Sequence, residues 1–145
     1  MKEARISWNE YFMQIAEMVA KRSTCNKISV GCLIAKDKRI IGTGYCGAPS
    51  GMKHCIDVGC YEYAGHCIRT LHAEVNAILQ CVEHGVSTKD AVVYLTHSPC
   101  WHCGLMLINA KINKIYYRKE YIDDRGNVLK LLENSGIKSM KLEIE

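Results

Sequence analysis

The stretch AVVYLTHSPCWHCGLMLINAKINKIYY, residues 91–117, decides how this chain folds. Ala91 to Thr96 is short and almost wholly apolar, the pattern of a strand buried on both faces. Cys100 to Ala110 then reads as a helix and Ile112 to Tyr117 as a further strand. Upstream, His72 to His84 reads as a helix with Val75, Ile78, Leu79 and Val82 on its apolar face. Residues 6 to 22 form an amphipathic pattern, with Trp8, Tyr11, Phe12, Ile15, Met18 and Val19 at helical spacing and expected in the core. Ser7 followed by Glu10 offers a capping box at its start. Ile28 to Ala35 and Arg39 to Tyr45 flank the polar turn Lys36-Asp37-Lys38 and read as a β-hairpin. Residues 46 to 70 are a long Gly- and Cys-rich loop, and a loop of that length is usually functional or pinned. Downstream, Asn127 to Asn134 is a helix that ends at Gly136, and Ile137 to Ile144 is a closing strand. Helices interleaved with strands in this order predict an α/β fold. The expected form is a three-layer α/β/α sandwich around a mixed sheet of about five strands.

Composition narrows the function classes. A length of 145 residues suits one domain spanning the chain. No apolar run is long enough to span a bilayer, so no membrane partner is expected. The start, Met1-Lys2-Glu3-Ala4-Arg5, lacks the apolar centre of a secretory signal, which points to a cytoplasmic protein. The net charge of +4 is mild and its Lys and Arg residues are scattered, which suits a small anionic ligand better than a polynucleotide. Nine cysteines cannot all pair with one another, so metal binding and burial are the expected uses. Cys32 and Cys81 lie in apolar runs and are expected in the core.

The chemistry lies in two short motifs. One is His72-Ala73-Glu74; the other is Pro99-Cys100-Trp101-His102-Cys103. His72, Cys100 and Cys103 offer three ligands of the kind zinc prefers and leave a fourth tetrahedral position for water. Zinc bound there lowers the pKa of such a water toward ~7. Glu74 stands beside the His and is free to carry protons. Cys100 and Cys103 sit three residues apart, on one face of the first helical turn, where the helix dipole favours thiolate. Pro99 suits the position just before it. The competing reading is a closed structural zinc site, which needs a fourth protein ligand such as His97 or His102 and leaves Glu74 without a purpose.

An H-x-E pair followed by P-C-x-x-C is the signature of zinc-dependent nucleobase deaminases. The surrounding sequence resembles the deoxycytidylate (dCMP) deaminases within the cytidine/deoxycytidylate deaminase superfamily. The resemblance rests on Arg22-Ser23-Thr24-Cys25, on Val30-Gly31, and on Gly42 to Gly51. It continues in His66 to Ile78, which holds Arg69-Thr70-Leu71-His72-Ala73-Glu74, and in Tyr94 to Cys100. It implies hydrolysis of dCMP to dUMP and ammonia, feeding thymidylate synthesis. It also implies a homo-oligomer, a hexamer being favoured, with dCTP and dTTP as effectors and Mg2+ accompanying the triphosphate. By this resemblance Tyr121 closes over the substrate, Arg22, Lys27 and Arg69 are candidates for its phosphate, and Asn76 fixes site geometry. Cys46 stands where the family usually has an Asn that contacts the sugar. A second, structural zinc drawing on Cys25, Cys55, Cys60, His66 and Cys67 is a further expectation. The rival readings are a deaminase of another base (adenosine in tRNA, free cytidine or guanine) and a non-catalytic, zinc-stabilised nucleotide-binding module.

Overall fold

A computed structural model describes residues 4–144, so the first three residues of the polar N-terminal stretch lie outside it. Helix α1 spans Trp8–Ala20, and strands β1 and β2 span Gly31–Lys36 and Arg39–Tyr45. The short helix α2, Cys55–Val58, follows, with the two-residue strands β3, Glu62–Tyr63, and β4, His66–Cys67. Then come α3 (Ala73–Glu83), β5 (Val92–His97), α4 (Trp101–Asn109), β6 (Lys114–Lys119), α5 (Val128–Asn134) and β7 (Lys138–Lys141). The main sheet has five strands in the order β2-β1-β5-β6-β7. β1 pairs antiparallel with β2 and β5, whereas β5–β6 and β6–β7 are parallel, so the sheet is mixed as expected.

The three layers follow from alternation along the central strands. Leu33, Ala35, Tyr94 and Tyr116 face one side and pack on Phe12, Met13 and Ala16 of α1. Cys32, Ile34, Val93, Leu95 and Ile115 face the other side, against α3, α4 and α5. Side chains two residues apart point the same way on a strand, so one strand supplies both cores. The β1–β2 turn is tighter than a three-residue turn. Asp37 and Lys38 alone make it, with φ of 51° and 61°, the left-handed pair that suits a right-twisted hairpin.

Two helix faces differ from the periodicity reading. On α1 the buried residues are Glu10, Phe12, Met13, Ala16 and Ala20, whereas Trp8, Tyr11 and Met18 are exposed. On α3 the buried residues are Ala73, Glu74, Ala77 and Cys81, whereas Leu79 and Val82 are exposed. In both cases part of the helix lies too close to the sheet for a large side chain. A Cβ on Gly31 would overlap the carbonyl oxygen of Ala16, and one on Gly44 would overlap that of Ala73. Small residues therefore take the positions of closest approach, Ala16 on α1 and Ala73 and Ala77 on α3, while Trp8, Met18, Leu79 and Val82 lie outside them. The loop over residues 46–70 is also more ordered than expected, since it holds α2 and the β3–β4 hairpin.

One polar network fastens α1 to the sheet. Ser7 Oγ caps the helix by accepting the Glu10 N–H at 3.1 Å. The Glu10 carboxylate turns inward and accepts from Arg118 Nη2 at 2.6 Å, and Arg118 Nε donates to Glu17 at 2.7 Å. Arg118 Nη1 reaches the carbonyls of Leu142 and Glu143, at 3.3 and 3.0 Å, which binds the segment after β7 into the same knot. Both Arg118 and Glu10 are buried, so removing one leaves an uncompensated charge in the core. Arg118→Met should lower unfolding free energy by about 3–5 kcal/mol, read by urea denaturation, with part of the loss recovered when Glu10→Gln is added. Arg118 holds the Glu10 carboxyl below its usual range. The pair's contribution is therefore present above the ordinary carboxylate pKa and is lost as pH falls through the lowered one. An unchanged denaturation midpoint in Arg118→Met would show that the knot is not stabilising.

Candidate active site

The two motifs meet because two helices begin at the same end of the sheet. His72 is the N-cap residue of α3 and Cys100 that of α4, both in extended conformation and neither side chain spent on capping its own helix. They are free to turn toward one another. His72 Nδ1 lies 3.5 Å from Cys100 Sγ and 3.5 Å from Cys103 Sγ, and the three donor atoms form one compact group. Asn76 donates to the Tyr45 carbonyl at 2.8 Å, which ties the first turn of α3 to β2, and it lies outside the cavity lining.

The electrostatics suit a soft cation. A hydrogen bond from Cys103, helped by His72, pulls the Cys100 thiol down to about 3, against the cost of burial. The same bond, with burial, pushes Cys103 up. The pair therefore favours a thiolate at Cys100, and the hydrogen bond between Cys100 and His72 raises His72 in turn. Imidazole and two cysteine sulfurs in contact are a zinc donor set, and they fit that ion. A fourth protein ligand is missing from the group among the described residues. His102 is exposed, and His97 lines the neighbouring cavity with its Nδ1 3.2 Å from Thr96 Oγ1.

Glu74 is 4 % exposed and lines that cavity. Burial raises its carboxyl above the usual range, partly opposed by its own backbone N–H and by His72. A buried carboxyl with no ion pair and an elevated pKa can both take up and release a proton. The cavity holds about 380 Å³, within the range of small-molecule sites. Ile28, Val30 and Cys46 give it an apolar side. Cys46 is buried, and burial pushes its thiol up to about 12, so it presents a neutral S–H. Tyr121 lines the mouth, held by a hydrogen bond from its N–H to Ser98 Oγ at 2.7 Å.

The expected phosphate ligands separate. Lys27 lines the cavity, paired with Glu62 at 2.8 Å. Arg22 is exposed and outside the lining. Arg69 is turned away: Nε donates to the Gly59 carbonyl at 3.1 Å, and the guanidinium lies over Tyr61. Arg125, which periodicity and motif both passed over, lines the cavity instead. Asp123 accepts from it and also from the Trp101 N–H, at 2.7 Å, on the first turn of α4. The only local signal was an acid two residues before an arginine, a pattern usually found on solvated loops.

A second cysteine group lies in the long loop. Cys55, Cys60 and Cys67 bring their sulfurs together, with Cys55 Sγ 3.6 Å from Cys67 Sγ. Against the cost of burial, N–H groups of Arg69 and Tyr61 hold Cys67 down at about 7. Burial and the neighbouring thiols push Cys55 up to about 12. Cys25 and His66 are outside this group and line the main cavity. Cys32 and Cys81 are core residues as expected.

Comparison with known proteins places this geometry. Residues 6–119 match the family model of the cytidine and deoxycytidylate deaminase zinc-binding region. The chain is 45% identical over 141 residues to ComE operon protein 2 of Bacillus subtilis, covering 97% of this chain and 74% of that one. It is 35% identical over 139 residues to the deoxycytidylate deaminase of Saccharomyces cerevisiae, covering 92% of this chain but only 44% of the yeast protein. It thus spans less than half of the length of that relative. The crystal structure of dCMP deaminase from the cyanophage S-TIM5, in complex with dCMP and dUMP, superposes with a TM-score of 0.83 at 29% identity, covering 97% of this chain and all of that one. A buried carboxyl beside a His-Cys-Cys donor set, on a sheet of this topology, accords with these matches: the chain belongs to the cytidine and deoxycytidylate deaminase family.

Proposed function

We propose that this chain is a zinc-dependent hydrolase that converts dCMP to dUMP and ammonia. The observation that carries the reading is Glu74, a buried carboxyl in no ion pair with Lys or Arg among the described residues, beside the donor group of His72, Cys100 and Cys103. Those three residues would hold the ion, which when bound supplies Lewis-acid activation of water at neutral pH. Glu74 takes one proton from the attacking water and returns it to the ring nitrogen next to C4. As the oxygen–carbon bond forms at C4, the exocyclic amine becomes the leaving group. Glu74 then passes the second proton of the water to that amine, the C4–N bond breaks, and ammonia departs. Burial of the carboxyl keeps both protonation states within reach during the cycle.

The remaining parts of the reading are finer. Tyr121, at the cavity mouth, covers the bound nucleotide. Lys27 contributes positive charge to the rim. Cys46 occupies the wall where the family usually places a sugar-binding Asn, and its neutral thiol is a weak partner for a hydroxyl. Cys55, Cys60 and Cys67 hold a structural zinc that pins the long loop. The protein works as a homo-oligomer in the cytoplasm, a hexamer being favoured, with dCTP accompanied by Mg2+ and dTTP as effectors. The mild net charge of +4 favours a mononucleotide over a polynucleotide as substrate.

Glu74→Gln should cut kcat for ammonia release from dCMP by about 10²–10⁴-fold while leaving zinc content unchanged. Retained activity in that variant would remove Glu74 from the proton path, and inactivity of the wild type on every cytosine and adenine nucleotide would favour a non-catalytic module. Metal analysis of the purified protein should return two zinc ions per chain. A single ion that stays with Cys55→Ser and is lost with Cys103→Ser would eliminate the second site. Cys46→Asn should lower KM for dCMP, and unchanged Michaelis constants and effector responses would show that this position does not touch ligand.

A further inference from the structure

We propose that Arg125 reads the anionic end of the substrate and so sets the preference for a nucleotide over a nucleoside. The inference rests on the deaminase reading above and concerns a residue that neither motif contains. Only two Lys or Arg side chains line the cavity among the described residues, Lys27 and Arg125, and they are held very differently. Lys27 pairs with Glu62 at 2.8 Å, but their side chains are 44% and 54% exposed, and such a pair is weak and mobile. Arg125 donates through Nε to Asp123 Oδ1 at 2.9 Å and through Nη2 to Asp123 Oδ2 at 2.8 Å, while its backbone N–H also donates to Oδ1 at 2.9 Å. The Asp123 side chain is 1% exposed, so the anchor is rigid, whereas the Arg125 side chain is 34% exposed, on the cavity.

This arrangement leaves a usable donor edge. Asp123 engages Nε and Nη2, and Nη1 is not among the atoms it holds. A guanidinium fixed on one edge presents the other in a plane, the geometry that matches phosphate oxygens and costs little rotamer entropy on binding. The carboxylate does not cancel the cation at that edge. Its Oδ2 also accepts the Trp101 N–H at 2.7 Å, so part of its charge is spent on the first turn of α4 and its positive dipole end. Arg125 also feels the charge of Cys100, so the cation lies close to the donor group while it lines the cavity. A monophosphate ester suits this cation. A neutral nucleoside would leave its open edge facing solvent.

The test compares dCMP with deoxycytidine in the zinc-loaded full chain. Wild type should favour dCMP in kcat/KM. Arg125→Gln should reduce kcat/KM for dCMP by about 10–100-fold, the effect of losing hydrogen bonds to a charged group, and leave deoxycytidine within about twofold. Inhibition by dUMP should weaken by a similar factor while inhibition by deoxyuridine stays unchanged. Arg125→Lys keeps the charge but loses the fixed edge, so it should show the same selective loss to a smaller degree; it carries the test if Arg125→Gln does not fold. Equal losses on both substrates in either variant would overturn the proposal, because Arg125 would then act only through Asp123 and Cys100 on the first turn of α4. No loss on either substrate would also overturn it and leave phosphate recognition to Lys27. If wild type itself deaminates deoxycytidine as well as dCMP, the nucleotide reading fails first; if it deaminates neither, the deaminase reading fails.

Discussion

The structure depends on one convergence: two helices start side by side at the end of the sheet, and their N-cap side chains face each other instead of their own backbones. Cap residues usually accept a hydrogen bond from their own helix. His72 and Cys100 do not, so each helix gives up a stabilising contact of roughly 1 kcal/mol. What they gain is proximity, with Nδ1 3.5 Å from both sulfurs. The rest of the fold serves to keep those two helix starts in register. α4 lies between β5 and its parallel neighbour β6, which fixes where Cys100 begins. α3 lies on β2 so closely that Gly44 admits no side chain, and Asn76 ties its first turn to Tyr45.

Burial favours the neutral form at all four residues of the site, and the outcomes differ with the partners each has. It opposes the Cys100 thiolate, which Cys103 and His72 rescue by hydrogen bonding. It favours the neutral form of Glu74, and its backbone N–H, His72 and Cys103 offset that only in part. A fold selected for stability alone would pair that carboxyl as it pairs Glu10 with Arg118. The contrast is informative because the two glutamates are buried almost equally, at 4 % and 5 % exposure. One is satisfied and structural. The other is left available to exchange a proton.

The donor set and the mixed sheet were legible in the sequence for different reasons. His72, Glu74, Cys100 and Cys103 were legible because metal and proton chemistry permit few residue types at fixed spacing. The sheet was legible because Ala91 to Thr96 is apolar on both faces. Helix faces were misread at Leu79, Val82, Trp8 and Met18, since large apolar residues dominate any periodicity. At close helix–sheet contacts the buried positions are Ala16, Ala73 and Ala77 instead. The cavity rim was the least legible part. Arg69 stands near the motif in sequence, but Arg125 stands near it in space, because β6 carries the chain back beside β5 and Asp123 docks on α4.

The cavity therefore has two sides with different chemistry. Ile28, Val30 and Cys46 form a side that offers little hydrogen bonding, and Lys27, Tyr121 and Arg125 form a polar mouth. A ligand gains orientation from the end that can pair with fixed donors and only burial from the end that cannot. Cys46, held neutral by burial, weakens the grip on any hydroxyl placed against it. Selectivity then shifts from the middle of the ligand to its charged end. On the proposed reading, a deaminase built this way discriminates by phosphate more than by sugar, because an anion left without its partner costs more than a hydroxyl left without one.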